Sequence, residues 1–258
     1  MMNLLDPNMI RLHHTGSGPA MVLLHCLGVD RHLWDFATAN LSRSFMLLTY
    51  DLPGHGETPV PANPYSIEHL SEQLAVILRR SQVAPAHVVG ISLGGLVAQH
   101  FAATYMDQVD RLVLIDTTPR YTDDLRQMWA QRAAAARSAG VRSLTEELLK
   151  IWFTPEFLAQ DPPAVRYVRD MFARASGEGY ALACEALAAA DLRPIVQKIA
   201  APTLVVCGDQ DIPSFLDSAH WLAQNIPHAR LEWLSPARHA SVLEQPNAFL
   251  RLIRKFLI

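Results

Sequence analysis

The stretch Ala86-His87-Val88-Val89-Gly90-Ile91-Ser92-Leu93-Gly94-Gly95 decides how this chain folds and where its chemistry is placed. Its first four residues form a largely apolar run typical of a buried β-strand, and apolar residues recur at helical spacing over 93–105. The residues between them fit the pattern G-x-S-x-G in the strand–turn–helix context that the pattern requires. The sequence therefore predicts a serine on a sharp turn between a strand and a helix.

Such a turn suits a nucleophile for steric and electrostatic reasons. The flanking glycines remove Cβ atoms that would clash in so tight a turn. The turn also strains the backbone of Ser92 and exposes its hydroxyl at the edge of the sheet. The N–H groups and dipole of the following helix favour negative charge beside the serine. Ser92 is thus the candidate nucleophile.

Short apolar runs also precede turn residues elsewhere in the chain, and they alternate with helix-like stretches. The strand candidates are 20–24, 45–50, 86–89, 111–115 and 203–207. Near-continuous apolar strands suit a parallel sheet that is covered on both faces. A helix is predicted over 67–80, with Ser66 as its N-cap. The alternation predicts an α/β fold with a mostly parallel, doubly wound sheet.

Residues 121–190 interrupt this alternation, because they contain only helical segments separated by glycines and prolines. Within them, Ser143-Leu144-Thr145-Glu146 has the form of a capping box. We expect residues 1–120 and 191–258 to form the core and 121–190 to form a helical insertion. This insertion would act as a lid over a site at the carboxyl ends of the strands, the alternative being a set of additional packing helices.

A serine hydroxyl needs a base, and the base needs an acid that orients it. His239 is the candidate base, since it follows the last strand candidate and the other histidines occupy less suitable positions. Asp211, in the turn after strand candidate 203–207, is the candidate acid. Asp209 in the same turn and Asp116, which also follows a strand candidate, remain rivals for that role.

The negative charge that develops during acyl transfer needs two backbone donors. One is the N–H of Leu93, which follows the nucleophile, and the other is the N–H of Leu27 in the loop after strand candidate 20–24. Cys26 lies in the same loop. We expect it to be a small buried residue, with a reactive thiol as the alternative.

Composition excludes several classes of protein. The 258 residues carry a formal net charge of −3, so no excess of positive charge is available for nucleic acid. The three cysteines lie at wide spacings without a metal-binding pattern, so neither a disulfide framework nor a metal site is expected. No apolar run could span a membrane and no signal peptide is recognisable, so a cytoplasmic protein is expected.

These residues resemble the α/β-hydrolase superfamily across nearly the whole chain, since Ser–Asp–His is the order of its catalytic triad. Within the superfamily, the sequence resembles in particular the 3-oxoadipate enol-lactonases of bacterial aromatic catabolism. The stretches that carry this resemblance are 26–30 with Trp34, 90–96, 152–155, 178–180, 184–186, 190–193 and 243–246. The chain departs from those enzymes at His25-Cys26 and Leu52-Pro53, where they often carry Asn-Ser and Thr-Arg.

The resemblance implies an α/β-hydrolase fold and hydrolysis of a small lactone or ester, the 3-oxoadipate enol-lactone first of all, through an acyl-enzyme and without a cofactor. The departures leave open a related carboxylesterase, or an amide or carbon–carbon bond hydrolase acting on products of aromatic catabolism. A receptor of the same fold that binds a small molecule without catalysis is a third hypothesis.

Trp34 and Trp152 fall within the family-like segments and are predicted to line the substrate pocket, with the core as their alternative location. A carboxylate-bearing substrate would also need an arginine. The candidates are Arg31, Arg120, Arg132 and Arg166, and nothing in the sequence chooses among them. The protein is expected to be a monomer or a homodimer.

Overall fold

A seven-stranded sheet organises the computed structural model, which describes residues 9–257. The strands are β1 (His13–Thr15), β2 (Ala20–Leu24), β3 (Met46–Thr49), β4 (Ala86–Ile91), β5 (Val109–Ile115), β6 (Thr203–Gly208) and β7 (Ala229–Leu234). They are arranged in the order β1-β3-β2-β4-β5-β6-β7. Only β1 runs antiparallel to its neighbour, and the other pairs are parallel.

Helices follow most strands and cover both faces of the sheet, as the fully buried strands β2, β4 and β6 require. The helices are α1 (Asp35–Leu41), α2 (Ile67–Ser81), α3 (Leu93–Thr104), α4 (Asp123–Ala139), α5 (Thr145–Trp152), α6 (Pro155–Ala159), α7 (Pro163–Arg174), α8 (Gly177–Ala189), α9 (Pro213–Asn225), α10 (Ser241–Glu244) and α11 (Pro246–Leu257). The predicted α/β class with a mostly parallel sheet is confirmed.

The sequence patterns found the interior strands and missed both edges. The five strand candidates correspond to β2 to β6, whereas β1 and β7 lie at the two ends of the sheet. An edge strand buries only part of its surface. β7 accordingly alternates apolar and charged residues, and β1 is short and mostly exposed. Neither therefore shows the continuous apolar run by which the interior strands were recognised.

Two predicted helix starts had different outcomes. Ser66 caps α2, because its side chain accepts a hydrogen bond from the N–H of His69. The capping box predicted at Ser143 is wrong, since a short 3₁₀ turn over Val141–Leu144 precedes α5. The hydroxyl of Ser143 donates to the carbonyl of Gly140 at 2.7 Å, so it closes that turn instead of capping the helix.

The chain between β5 and β6 forms the helices α4 to α8, with α4 packed against α8. Residues 121–190, all of which the structure describes, contain no strand. An isolated bridge between Arg120 and Asp191 joins the two ends of this helical segment. That residues 121–190 act as a lid stays a prediction. In the described part of the chain, no helix combines the length and the apolar character needed to cross a membrane.

Candidate active site

Ser92 lies on a strained turn between β4 and α3. Its backbone adopts φ 52° and ψ −112°, which side-chain-bearing residues rarely adopt. The turn depends on its glycines, because a Cβ on Gly90 would lie 2.2 Å from the carbonyl oxygen of Gly94. A Cβ on Gly94 would lie 2.4 Å from the carbonyl oxygen of Leu24 at the end of β2. Close packing of backbone on backbone thus places the serine hydroxyl at the carboxyl end of the sheet.

The structure brings Ser92, His239 and Asp211 together in a buried row. The Oγ of Ser92 lies 3.0 Å from Nε2 of His239, and Nδ1 of His239 lies 2.8 Å from Oδ2 of Asp211. The other oxygen of Asp211 accepts the N–H of Ile212 at 2.7 Å. An ionised carboxylate only accepts, so Nδ1 carries the proton and Nε2 is free to accept from Ser92. This arrangement can remove the proton from a serine nucleophile.

The two rival acids have other partners. Asp209 accepts hydrogen bonds from Ser235 Oγ at 2.6 Å and from the N–H of Ala237 at 3.1 Å. Asp116 accepts the N–H of Gly208 at 2.9 Å, and its second oxygen accepts both the N–H and the hydroxyl of Ser241 at 3.1 and 2.6 Å. Of the three candidates, only Asp211 hydrogen-bonds His239 among the described residues.

Asp116 nevertheless influences the electrostatics of the site. Burial, together with the charge of Asp211, raises the pKa of Asp116 to about 7. Burial alone would lower the pKa of His239, but the charge and hydrogen bond of Asp211, assisted by Asp116, raise it above its usual value. His239 is therefore held as a stronger base than a free histidine.

These shifts predict the pH dependence of activity. His239 must be neutral to accept a proton, so kcat/KM should fall as the pH drops through a midpoint above 6.5, the ordinary pKa of histidine. Asp116, with its pKa of about 7, is partly ionised over this range and raises the pKa of His239, so Asp116→Asn should move the midpoint to lower pH. A pH profile of kcat/KM on a nitrophenyl ester measures both the midpoint of the unaltered protein and its shift in the variant. Asp124→Asn, on the exposed start of α4, is the control, and an equal shift in both variants would contradict the assignment.

The loop that carries Leu27 is anchored by two hydrogen bonds of the His25 side chain. The N–H of Leu52 donates to Nε2 of His25 at 2.8 Å, so Nδ1 of His25 carries the proton and donates to the carbonyl of Cys26, also at 2.8 Å. Burial lowers the pKa of His25 and keeps it neutral in this role. Cys26 is buried, as expected, and burial raises the pKa of its thiol, which opposes reactivity.

The two predicted backbone donors lie on neighbouring segments. Leu93 is the first residue of α3, so its N–H lacks a partner within the helix. Gly94 packs against the carbonyls of Leu24 and His25, which brings the first turn of α3 against the loop of Leu27. Leu27 and Ser92 line the same cavity. The arrangement can accommodate an oxyanion between the two N–H groups.

This candidate catalytic cavity, about 60 Å³ in volume, is enclosed by the carboxyl edge of the sheet, the helical segment 121–190 and α9. Its lining residues are Leu27, Ser92, Tyr121, Leu125, Met128, Trp129, Arg132, Leu148, Ile151, Trp152, Tyr180, Ile212, Phe215 and His239. Trp152 is among them, with its ring centroid 6.2 Å from that of His239. The cavity is thus mainly apolar and aromatic, and Ser92 and His239 contribute to its lining.

Trp34 requires a correction, because the structure places it in the core instead of at this cavity. Its side chain is fully buried, and its ring packs against those of Phe36 and Phe249 at 6.3 and 6.1 Å. α1 packs against α11 at this point, so the apolar bulk of the indole is used to join two helices. The alternative location considered for Trp34 is therefore the one observed.

Three of the cavity-lining residues that sequence reasoning missed, Leu125, Met128 and Trp129, lie on one face of α4. Together with Arg132, which was already a candidate for carboxylate binding, they follow the spacing i, i+3, i+4, i+7 and form a single stripe that faces the cavity. That periodicity was the available signal. The indole N–H of Trp129 and the hydroxyl of Tyr121 are buried without a hydrogen-bond partner among the described residues, so both could bind a ligand oxygen.

A family model described as the alpha/beta hydrolase fold matches residues 19–246. This chain belongs to the α/β-hydrolase family. The hydrolase is 34% identical to 3-oxoadipate enol-lactonase 2 of Acinetobacter baylyi over 90% of this chain and 85% of that one. It is 32% identical to a pimeloyl-[acyl-carrier protein] methyl ester esterase of Chromobacterium violaceum, over 94% of this chain and 95% of the other. The similarity to these relatives supports an ester or lactone hydrolase activity for this chain.

Solved structures agree with this family. The crystal structure of the enol-lactonase from Burkholderia xenovorans superimposes on the hydrolase with a TM-score of 0.92 and 34% identity, covering 96% of both chains. A thermophilic esterase from Thermogutta terrifontis, solved with malate bound, gives a TM-score of 0.90 at 26% identity, over 96% of this chain and 92% of that one. The fold and the resemblance to the enol-lactonases are thereby confirmed.

Proposed function

We propose that this protein is a serine hydrolase that cleaves a small carboxylate-bearing lactone, the 3-oxoadipate enol-lactone, through an acyl-enzyme on Ser92. The observation that carries the proposal is the hydrogen-bonded row of Ser92, His239 and Asp211 in a cavity that also contains Arg132. The similarity to enol-lactonases in sequence and structure supports the choice of substrate.

In the first half of the reaction, Ser92 Oγ attacks the lactone carbonyl while its proton passes to Nε2 of His239. The N–H groups of Leu27 and Leu93 stabilise the tetrahedral oxyanion, each contributing about 3–4 kcal/mol. The bond between the acyl carbon and the ring oxygen then breaks. The ring oxygen leaves as an enolate, which takes up the proton held on Nε2 of His239 and becomes a ketone, so that His239 is neutral again before the second half. Asp211 stabilises the imidazolium throughout.

In the second half, a water molecule takes the place of the leaving oxygen. His239 accepts a proton from this water, whose oxygen forms a bond to the acyl carbon. The bond from that carbon to Ser92 breaks, and His239 returns a proton to Ser92 Oγ. The product is a free carboxylic acid, and the chain's own residues supply every proton transfer.

Arg132 is the arginine that fits a substrate carboxylate. Of the four candidates, it alone lines the cavity with Ser92. Its guanidinium lies 5.1 Å from the ring centroid of Trp129, and only 11% of its side chain is exposed. Its acidic neighbour Glu147 is 3.8 Å away and largely exposed, so the planar fork remains available for a carboxylate.

We expect Arg132→Met to lower kcat/KM for an anionic ester, nitrophenyl hydrogen glutarate, by about 10- to 100-fold, the cost of a lost charged hydrogen bond. The kcat/KM for the neutral ester nitrophenyl valerate should fall far less. Arg166→Met, on the exposed face of α7, is the matched control. Equal losses on both esters would contradict carboxylate recognition by Arg132 and leave the assignment of Ser92 standing.

Incubation of the enol-lactone with the protein, followed through the loss of its ultraviolet absorbance, tests the proposed substrate directly. We expect saturable turnover well above the spontaneous rate. Hydrolysis of nitrophenyl esters without turnover of the enol-lactone would overturn the substrate and retain the serine mechanism. Failure of a fluorophosphonate probe to label Ser92 would overturn the mechanism itself.

A carboxylesterase acting on small acyclic esters is the second candidate. The similarity to pimeloyl-[acyl-carrier protein] methyl ester esterases favours it, since that relationship extends over almost the whole chain. The same row of Ser92, His239 and Asp211 would perform both reactions, because a lactone differs from an ester only in that its leaving oxygen remains tethered to the acyl group.

A further inference from the structure

A second cleft lies beside the catalytic cavity, between residues 118–122 and α9. This outer cleft has a volume of about 380 Å³. Tyr121, Leu125 and Phe215 line both spaces, so these three side chains form a partition between them. The outer cleft thus shares a wall of three residues with the cavity that contains Ser92.

Both arginines and Ser218 of the outer cleft already have partners, whereas Asp217, which also lines the cleft, is exposed to solvent. Arg120 donates to Asp123 at 2.9 Å, and Arg193 donates to Asp191 at 2.6 and 2.8 Å. The hydroxyl of Ser218 lies 2.6 Å from the carbonyl oxygen of Ser214, to which it donates, and 2.8 Å from the hydroxyl of Thr118.

What the outer cleft offers to an occupant is therefore apolar surface, above all Pro119, Leu125 and Trp221. Since its arginines are neutralised, an apolar group suits it better than an anion.

The partition lies on the side of the site from which a leaving group departs. In ester hydrolysis, His239 must hand the proton that it took from Ser92 to the leaving oxygen, so the alcohol lies next to the imidazole. The ring of Phe215 is the nearest aromatic contact of this imidazole, with 4.4 Å between centroids. The space behind Phe215 is therefore placed to receive the alcohol portion of an ester.

The partition can open at Phe215 more easily than at Tyr121. The segment around Tyr121 is held by the bridge between Arg120 and Asp191 and by the bond of 2.8 Å from the N–H of Leu192 to the carbonyl of Pro119. Phe215 lies in the first turn of α9, so a rotation of its side chain would join the two spaces without a movement of that helix. A cavity of about 60 Å³ has little room for an acyl group together with a bulky alcohol, so a large ester requires this opening.

We propose that the outer cleft is an alcohol subsite, which takes the apolar alkyl or aryl alcohol of an acyclic ester once Phe215 rotates. This inference rests on the proposed ester hydrolysis at Ser92. It extends the substrate class from small lactones to esters whose alcohol is apolar and whose acyl group is short. Released alcohol would leave through the outer cleft, while the acyl group remains on the serine.

The test compares methyl acetate with hexyl acetate, because the two alcohols differ in apolar length and hardly in leaving-group chemistry. We expect the unaltered protein to show a kcat/KM about tenfold or more higher for the hexyl ester, since burial of methylene groups favours binding. Ser214→Trp fills the cleft from α9 and should reduce this ratio to about one, which removes that gain. Thr122→Trp fills the cleft from the opposite wall and should reduce the ratio in the same way. The test can therefore still be carried out if one of the two variants does not fold.

Gln224→Trp, an identical change at an exposed position of α9 outside the cleft, should keep the ratio. The proposal is overturned if the unaltered protein shows no preference for hexyl acetate, or if the filling variants retain it. It is also overturned if those variants impair methyl hexanoate instead, which would assign the cleft to the acyl chain. Labelling of Ser92 by a fluorophosphonate in any of these cases shows that only the subsite has failed; absence of labelling refutes the proposed function.

Discussion

Ser92→Ala is expected to lower kcat by about 10⁵- to 10⁶-fold, because no other hydroxyl can replace the nucleophile at the turn. The oxyanion donors and the binding cavity remain, so some acceleration over water should persist. Single-turnover hydrolysis of an activated ester, with the burst of nitrophenol as readout, measures the loss. The burst should disappear along with turnover, since no acyl-enzyme can form.

The fold should survive this substitution. The strained backbone at φ 52° is imposed by the packing of the flanking glycines and does not depend on the serine hydroxyl. Thermal unfolding should therefore change little. Ser71→Ala is the matched control and should retain activity, because it removes a buried hydroxyl on α2, away from the cavity, that has no hydrogen-bond partner within residues 9–257. Retained turnover in Ser92→Ala would exclude Ser92 as the nucleophile.

Asp211→Asn is expected to lower kcat by about 10³- to 10⁴-fold with little change in KM. The asparagine amide can present an N–H to Nδ1 of His239, which favours the tautomer that carries its proton on Nε2. That nitrogen then cannot accept from Ser92. The variant also loses the charge that stabilises the imidazolium and raises the pKa of His239. Steady-state kinetics on one nitrophenyl ester, with both parameters determined, measure the effect.

Asp209→Asn is the control for this prediction, because Asp209 lies two residues away and binds Ser235 and Ala237 instead of the histidine. Its kcat should stay within about a few-fold of the unaltered protein, as for most substitutions outside the chemistry. A large loss in Asp209→Asn together with a small loss in Asp211→Asn would reverse the assignment of the acid.

The interior of the fold could be predicted because its signals are local. A strand buried on both faces must be apolar throughout, and a turn in which Gly90 and Gly94 touch neighbouring backbone excludes side chains. Such requirements produce patterns that can be recognised within a few residues of sequence. The edge strands β1 and β7 have weaker sequence patterns because part of their surface is exposed to solvent.

The residues that line the cavity were harder to predict because their location depends on packing between distant elements. Trp34 and Trp152 look alike in sequence, yet one joins α1 to α11 and the other lies beside His239. Arg132 could be selected from four arginines only when α4 was placed over the sheet edge. An aromatic or basic residue satisfies several environments equally well, so its type alone does not locate it.

By itself, the sequence determined the α/β class, the strained turn at Ser92 and the Ser–Asp–His order along the chain. Each follows from sterics or from order within short stretches. Tertiary structure alone decided that Asp211 and not Asp116 contacts His239, that Arg132 reaches the cavity, and that Phe215 separates it from the outer cleft. Ser92 and His239 are 147 residues apart in the chain, and only the packing of the sheet and its loops brings them within 3.0 Å.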